Sequence, residues 1–354
     1  MIYPQRLRAW FPSNAILRSE LAHQHRSTSR RRWLRWLSRL LTGAVWASAL
    51  FFVLRALPTL IFGQLPPPLD WPEQAWVGQW MVFAVIWTVI LHFSLMFETL
   101  SRSANVIARE KQGNTWELLL LTGTDARAIV MGKWWATVRR MRWWYLSLGI
   151  LRALMIVWVT GTQYTSSSYF YYGNNAPDTT VGAVFFRSLY LLVTFAFVIL
   201  MTLLNLGFTA ACGLSASADH RNSAIALARA IGTRILIIIA IVGIPIGIVY
   251  LIRPTYGYDS LWSNIVLSGA QVLATFADNG VVASYALATY NFTSYYYPAD
   301  VYTYADTTLL AMLVAPLAYA FVTALVLRFA RRRVIRQGAL PPPPKMAKRS
   351  LSAG

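Results

Sequence analysis

The chain has 354 residues, 56% of them hydrophobic and only 13% charged, with a mean hydropathy of +0.46. A water-soluble domain carries about 25% charged residues, so this composition excludes a soluble globular protein and points to an integral membrane chain. The formal net charge is +19, and the single cysteine, Cys212, excludes an intrachain disulfide framework.

Residues 1–40 hold nine arginines before any apolar run. No short apolar core with a small-residue cleavage site follows, so this stretch reads as a cytoplasmic N-terminus rather than a cleavable signal peptide. Within it, "RSTSRRRWLRWLSR" (Arg26–Arg39) sets Trp33, Leu34, Trp36 and Leu37 on one helical face, the pattern of an amphipathic interfacial helix lying on acidic lipid headgroups. Six apolar runs of about 20 residues follow, the length a helix needs to cross a hydrocarbon core. They are Leu41–Phe62, Val77–Phe97, Trp143–Val159, Val184–Leu206, Ile235–Leu251 and Leu309–Val326. Backbone groups in lipid have no water to bond with, so each run is expected to be helical, and residues 41–336 form an all-α six-span domain. Residues 337–354, with "PPPPKMAKRSLSAG", read as a disordered Pro-rich cytoplasmic tail.

Of the 32 Lys and Arg, 28 fall before span one, between spans two and three, between four and five, or after six. By the positive-inside rule both termini are cytoplasmic, in the cell membrane. The positive charge is therefore a topology signal, with lipid headgroups as the partner and no nucleic acid implied. Arg55, Arg152 and Arg187 lie inside spans. An arginine at a helix centre costs about 2.5–3.5 kcal/mol on insertion scales, so it faces water or a partner. Arg55 and Arg187 are placed to snorkel outward. Arg152 lies about 15 Å of helix from Arg142, near the midplane. Arg152, Arg55 and His92 are the pathway candidates, although a lone histidine in a span is more often a hydrogen-bonded part of the structure.

Between spans five and six, "LWSNIVLSGAQVLATFA" (Leu261–Ala277) is long enough for a marginal further crossing, but that would put "RFARRRVIR" outside. Residues 257–305 are therefore expected to hold a re-entrant pair, Leu261–Ala277 and Val281–Tyr290, turning at "DNG". The Tyr-rich "QYTSSSYFYY" and "YNFTSYYYPADVYTY" fit an outer aromatic girdle.

Enzyme motifs are missing from the sequence. The four histidines make no H-E-x-x-H pattern, and no G-x-S-x-G elbow occurs. Gly132-Lys133 superficially suggests a phosphate loop, but the spacing from Gly123 is too long and Trp134 replaces the hydroxyl that would hold magnesium. No metal site, cofactor or catalytic role is expected in this chain.

The region 101–134, between spans two and three, contains "GNTWELLLLTGTDARAIVMGK". Asn114 is a good N-cap and Glu117 completes a capping box, so a helix is predicted over Thr115–Leu121. Gly123 ends it. Thr124 with Asp125 caps a second helix that runs through Lys133 and Arg139–Arg142 into span three. The leucines are too many for one face of a two-turn helix, so some pack inward while others meet a partner or lipid. Asn114, Thr115, Trp116, Glu117, Leu118, Leu119, Leu120 and Leu121 are the candidate partner-binding residues.

"ANVIAREKQGNTWELLLLTGTDARAIVMGKWWA" resembles the signature of type-2 ABC export permeases: an acidic-basic run, Gly-Thr-Leu-Glu, leucines, Thr-Pro and a later Gly-Lys. Glu110, Thr115, Glu117, Leu118–Leu121, Thr122, Gly132 and Lys133 match; Asn114 replaces the family's glycine and Gly123 its proline. "NAILRSEL" (Asn14–Leu21) is similar to the Asn-Pro-Val-Leu-Arg-Glu-Leu entry to the family's amphipathic connecting helix, with Ala15 in place of proline. The two segments cover roughly forty residues; the rest is a likeness of layout. The resemblance implies a permease subunit in which the elbow between spans two and three is a coupling helix docking into a separate ABC ATPase. That partner would bind ATP and Mg, and a second permease, as homo- or heterodimer, would complete the pathway. The rival readings are a non-transporting membrane scaffold or assembly factor and, behind it, a membrane-embedded lipid-modifying enzyme.

Overall fold

The computed structural model describes residues 42–51, 71–171, 181–256 and 301–339, together with residues 36, 40, 53 and 54. Among the described residues the fold is all-helical: α1 (Thr42–Phe51), α2 (Trp71–Gln112), α3 (Thr115–Leu121), α4 (Ala126–Tyr171), α5 (Val181–Asp219), α6 (Ser223–Tyr256) and α7 (Val301–Arg336). Three of these contain stretches long and apolar enough to cross a membrane: Val82–Gln112 in α2, Phe195–Asp219 in α5 and Ser223–Ala240 in α6. The connecting-helix segment Asn14–Leu21, the expected re-entrant pair at Leu261–Ala277 and Val281–Tyr290, and the tail from residue 340 lie outside the described residues.

α5 is the centre of the bundle, touching α2, α4, α6 and α7. Two-thirds of its apolar stretch is buried (67%), against 28% for α2 and 17% for α6. Its sequence explains this position. Gly207, Ala210, Ala211, Cys212, Gly213, Ala216 and Ala218 give it a narrow waist that lets neighbours approach closely, the usual device where lipid supplies no hydrophobic push between helices. A side chain at Gly213 would collide with Ser103 of α2. One turn further, the Ser217 hydroxyl accepts the backbone N–H groups of Ile107 and Ala108, each at 2.9 Å. On α4, a Cβ at Gly149 would lie 3.2 Å from Ile199 Cα and 3.4 Å from Thr202 Cβ.

Larger side chains fill the space around these crossings. Leu100, Phe197, Met201, Phe208, Tyr319 and Val326 form the main core, with Phe208 edge-on to Tyr319 at 5.7 Å. Val45, Ala49 and Val53 of the first helical segment pack on Ala84 of α2 and on Leu151, Leu154 and Met155 of α4. Buried hydroxyls satisfy themselves locally, as an apolar surrounding requires. Thr88, Thr99, Ser103, Thr202 and Thr209 each donate to the carbonyl four residues back. The outer face of α2 shows the opposite pattern, an exposed apolar stripe of Val82, Ile86, Ile90, Phe93 and Phe97 at helical spacing. That stripe is suited to lipid rather than water.

The helices do not stop where the apolar runs stop. α2 continues from Phe97 to Gln112, α4 begins at Ala126 ahead of Trp143, and α7 runs on through Arg331, Arg332 and Arg333. The bundle therefore has a basic end that projects beyond its apolar part, and α3 lies there.

Candidate functional site

The elbow at the basic end is built on two left-handed residues, Asn114 and Gly123. Gly113 closes α2 by donating its N–H to Arg109 O at 2.9 Å, and Asn114 then takes φ 56, ψ 17. That conformation is open to Gly and tolerated by Asn. The expected capping box is not formed: Asn114 makes no side-chain cap bond, and Glu117 is exposed. The Asn114 Oδ1 instead accepts from Arg221 Nη2 at 2.7 Å. An N-cap residue needs extended backbone, and the reversal out of α2 denies it that geometry.

α3 spans Thr115–Leu121, as expected, and ends where Thr122 N–H reaches Leu118 O, Gly123 N–H reaches Leu120 O, and Gly123 takes φ 68. The next helix is capped by Asp125, whose Oδ1 accepts the Arg127 N–H at 3.0 Å. Thr124 takes no part in that cap bond; its hydroxyl pairs with Thr122 at 2.7 Å.

The two faces of α3 differ. Trp116, expected on the partner side, is buried at 6% exposure among Ile107, Ala126, Ile129, Leu214, Ala330 and Val334. Burying an indole of that size against its own bundle outweighs presenting it to solvent, so Trp116 anchors the helix and is not part of the outer surface. Leu119 and Leu120 are half-buried against the same cluster. Leu118 and Leu121 face outward, 63% and 82% exposed, beside exposed Asn114, Thr115 and Glu117.

Charged side chains tie this platform to the rest of the bundle. Lys133, fully buried, donates to Glu110 at 2.5 Å, bringing together two residues 23 apart in sequence. Among the last carbonyls of α5, which no helix bond satisfies, Ala218 O accepts from Lys111 and Gln337. One turn earlier, Ser215 O also accepts from Arg333. Asp219 bridges Arg333 at 2.7 Å and Arg229 at 2.9 Å. Arg221 also donates to Lys111 O, so the α5–α6 turn, α7 and the elbow form one polar lattice.

Deeper in the bundle lies a second polar group. Arg152 is 2% exposed and donates to Thr202 at 3.4 Å. Arg234, placed by the sequence reading in a connecting loop, is buried in α6 and donates to Asn205 at 2.9 Å and to Thr209, with Phe208 beneath its guanidinium. Thr202, Asn205 and Thr209 stand on one face of α5, so both cations dock on the same stripe. Tyr145, buried nearby, hydrogen-bonds Thr99. The signal that locates Arg234 is an Asn and a Thr four apart in a mostly apolar helix, a receptor for a buried guanidinium. His92 is buried edge-on to Phe93 at 5.4 Å. Arg55 and the side chain of Arg187 lie outside the described residues. Among the described residues no group of His, Cys, Asp and Glu has a metal-holding arrangement.

Comparison with protein-family models, with curated proteins and with solved structures returned no match.

Proposed function

We propose that this chain is the permease subunit of an ABC export transporter, with six spans, cytoplasmic termini and α3 as the docking helix for a separate ATPase that binds ATP and Mg. A second permease copy or homologue completes the pathway. The observation that carries the reading is the two-sided α3: a short helix at the basic end, anchored from below by Trp116, that exposes Leu118 and Leu121 where charged residues dominate. Exposed leucines on a rigid platform are suited to filling an apolar cleft. Two details of the motif add support. Asn114 sits in the left-handed region where the family carries glycine, and Glu110 and Lys133, both motif positions, are partners. Gly123 departs from the family, since φ 68 is closed to proline, so this turn is built in its own way.

The polar lattice from Asn114 through Arg221 to Arg333 gives a docked ATPase a stiff connection to α5 and α7. Rigid-body motion of the bundle then accompanies ATPase closure. Affinity copurification of the ATPase with wild-type, Leu118→Asp and Leu121→Asp protein tests the reading. Both variants are expected to be extracted intact, because their side chains are exposed, and to lose the ATPase and transport. Full retention by both, or no ATPase with the wild type, overturns the reading and leaves the scaffold alternative.

A further inference from the structure

The lipid-facing stripe of α2 ends abruptly. Phe93 and Phe97 are exposed, and the next residue is Glu98, ion-paired to Arg102 one turn on at 2.5 Å. The same change occurs on α4 at the same level, because the Thr99–Tyr145 hydrogen bond sets the register of the antiparallel pair. There, Trp143 and Trp144 are exposed at 64% and 53%, and Arg139 and Arg140 stand one turn below them on the same faces. Arg142 lies over the Trp143 ring at 5.0 Å. At this border between apolar and charged surface, Arg102 and Arg140 both lie near the carboxylate of Glu98.

Arg140 is the informative member of this group. Its Nη1 is shielded from solvent and has no hydrogen-bond partner among the described residues. Burial and the neighbouring charge of Arg102 both push its guanidinium down from the ordinary value, against a smaller opposite effect of Glu98. A shielded donor beside a like charge is a place where an incoming anion gains on both counts. Exposed Trp rings at this height select the occupant, since indoles favour the headgroup layer.

We infer that Arg102 and Arg140, between α2 and α4, bind the phosphate of an anionic phospholipid headgroup, with Trp143 and Trp144 lying along its acyl-chain junction. The site does not depend on the transport reading. It is tested on the full chain in a neutral detergent by native mass spectrometry, with phosphatidylglycerol, phosphatidylcholine and inorganic phosphate as separate probes. Wild-type protein is expected to retain phosphatidylglycerol over phosphatidylcholine by about ten-fold or more. Arg102→Gln/Arg140→Gln is expected to bring the two lipids level, while Arg328→Gln/Arg332→Gln, an equal loss of charge at two exposed positions of α7, keeps the preference. Equal effects of the two double variants, or none from the first, overturn the site. Full displacement of lipid by millimolar inorganic phosphate would mean that the pair holds free phosphate instead, and overturns the lipid assignment. Should the first double variant fail to fold, Arg140→Gln alone decides in the same way.

Discussion

Asn114 is chosen for its backbone. In a left-handed conformation an ordinary L-residue costs about 1–2 kcal/mol, Asn less, and Gly nothing. Asn114→Gly is therefore expected to keep the melting temperature of the detergent-solubilised protein. Asn114→Ser, which an N-cap would accept without loss, is expected to lower it. Equal melting of the Ser variant and the wild type would restore the capping role. Sequence alone read this residue as a cap because the Asn side chain suits both uses. What decides between them is φ, imposed by the reversal from α2 into α3 and held by Arg221, more than a hundred residues away. Arg234 was missed for a related reason. Charge bias assigns an arginine at the edge of an apolar run to water, whereas the Asn205 and Thr209 oxygens on a neighbouring helix help offset the cost of its burial.

The bounds of α3 were legible in the sequence because both of its ends are local chain reversals, at Asn114 and Gly123. Which of its faces is buried was not, because that depends on Ala330 and Val334 of α7, brought in from the far end of the chain. The same non-locality governs the Glu110–Lys133 pair that fastens α2 to α4. Removing one partner of a buried ion pair costs about 3–5 kcal/mol, and less here because the Glu110 side chain is 19% exposed. Glu110→Gln and Lys133→Met are each expected to lower the melting temperature, and the double variant to recover most of the loss. Strictly additive losses would show that the pair contributes nothing to the joint between the two helices.

The topology expected from the distribution of Lys and Arg is open to a direct labelling test in a Cys212→Ala background. Single cysteines at Ser167 and Ser294 are expected to react with a membrane-impermeant thiol reagent from outside. Ser103 is unsuitable as the inside reporter because it is buried against Gly213 and would stay silent on either face. Exposed Thr115 takes its place, protected in intact cells and reactive once they are opened. Labelling of Thr115→Cys in intact cells would invert the molecule. Three of the expected apolar runs were legible because lipid demands length and uniformity, but the continuation of the helices beyond them was not, since amphipathic helix and loop differ little in a charge-rich segment. That continuation has a mechanical consequence. α4 is one unbroken rod of 46 residues, about 69 Å long. It lies close against α5 at Gly149, about 35 Å from the elbow end and about 33 Å from the other. A rod pinched at its midpoint behaves as a see-saw with nearly equal arms. A tilt of about 5° about that fulcrum would move each tip by about 3 Å in opposite senses, so the elbow swings inward by as much as the far tip of the helix swings out.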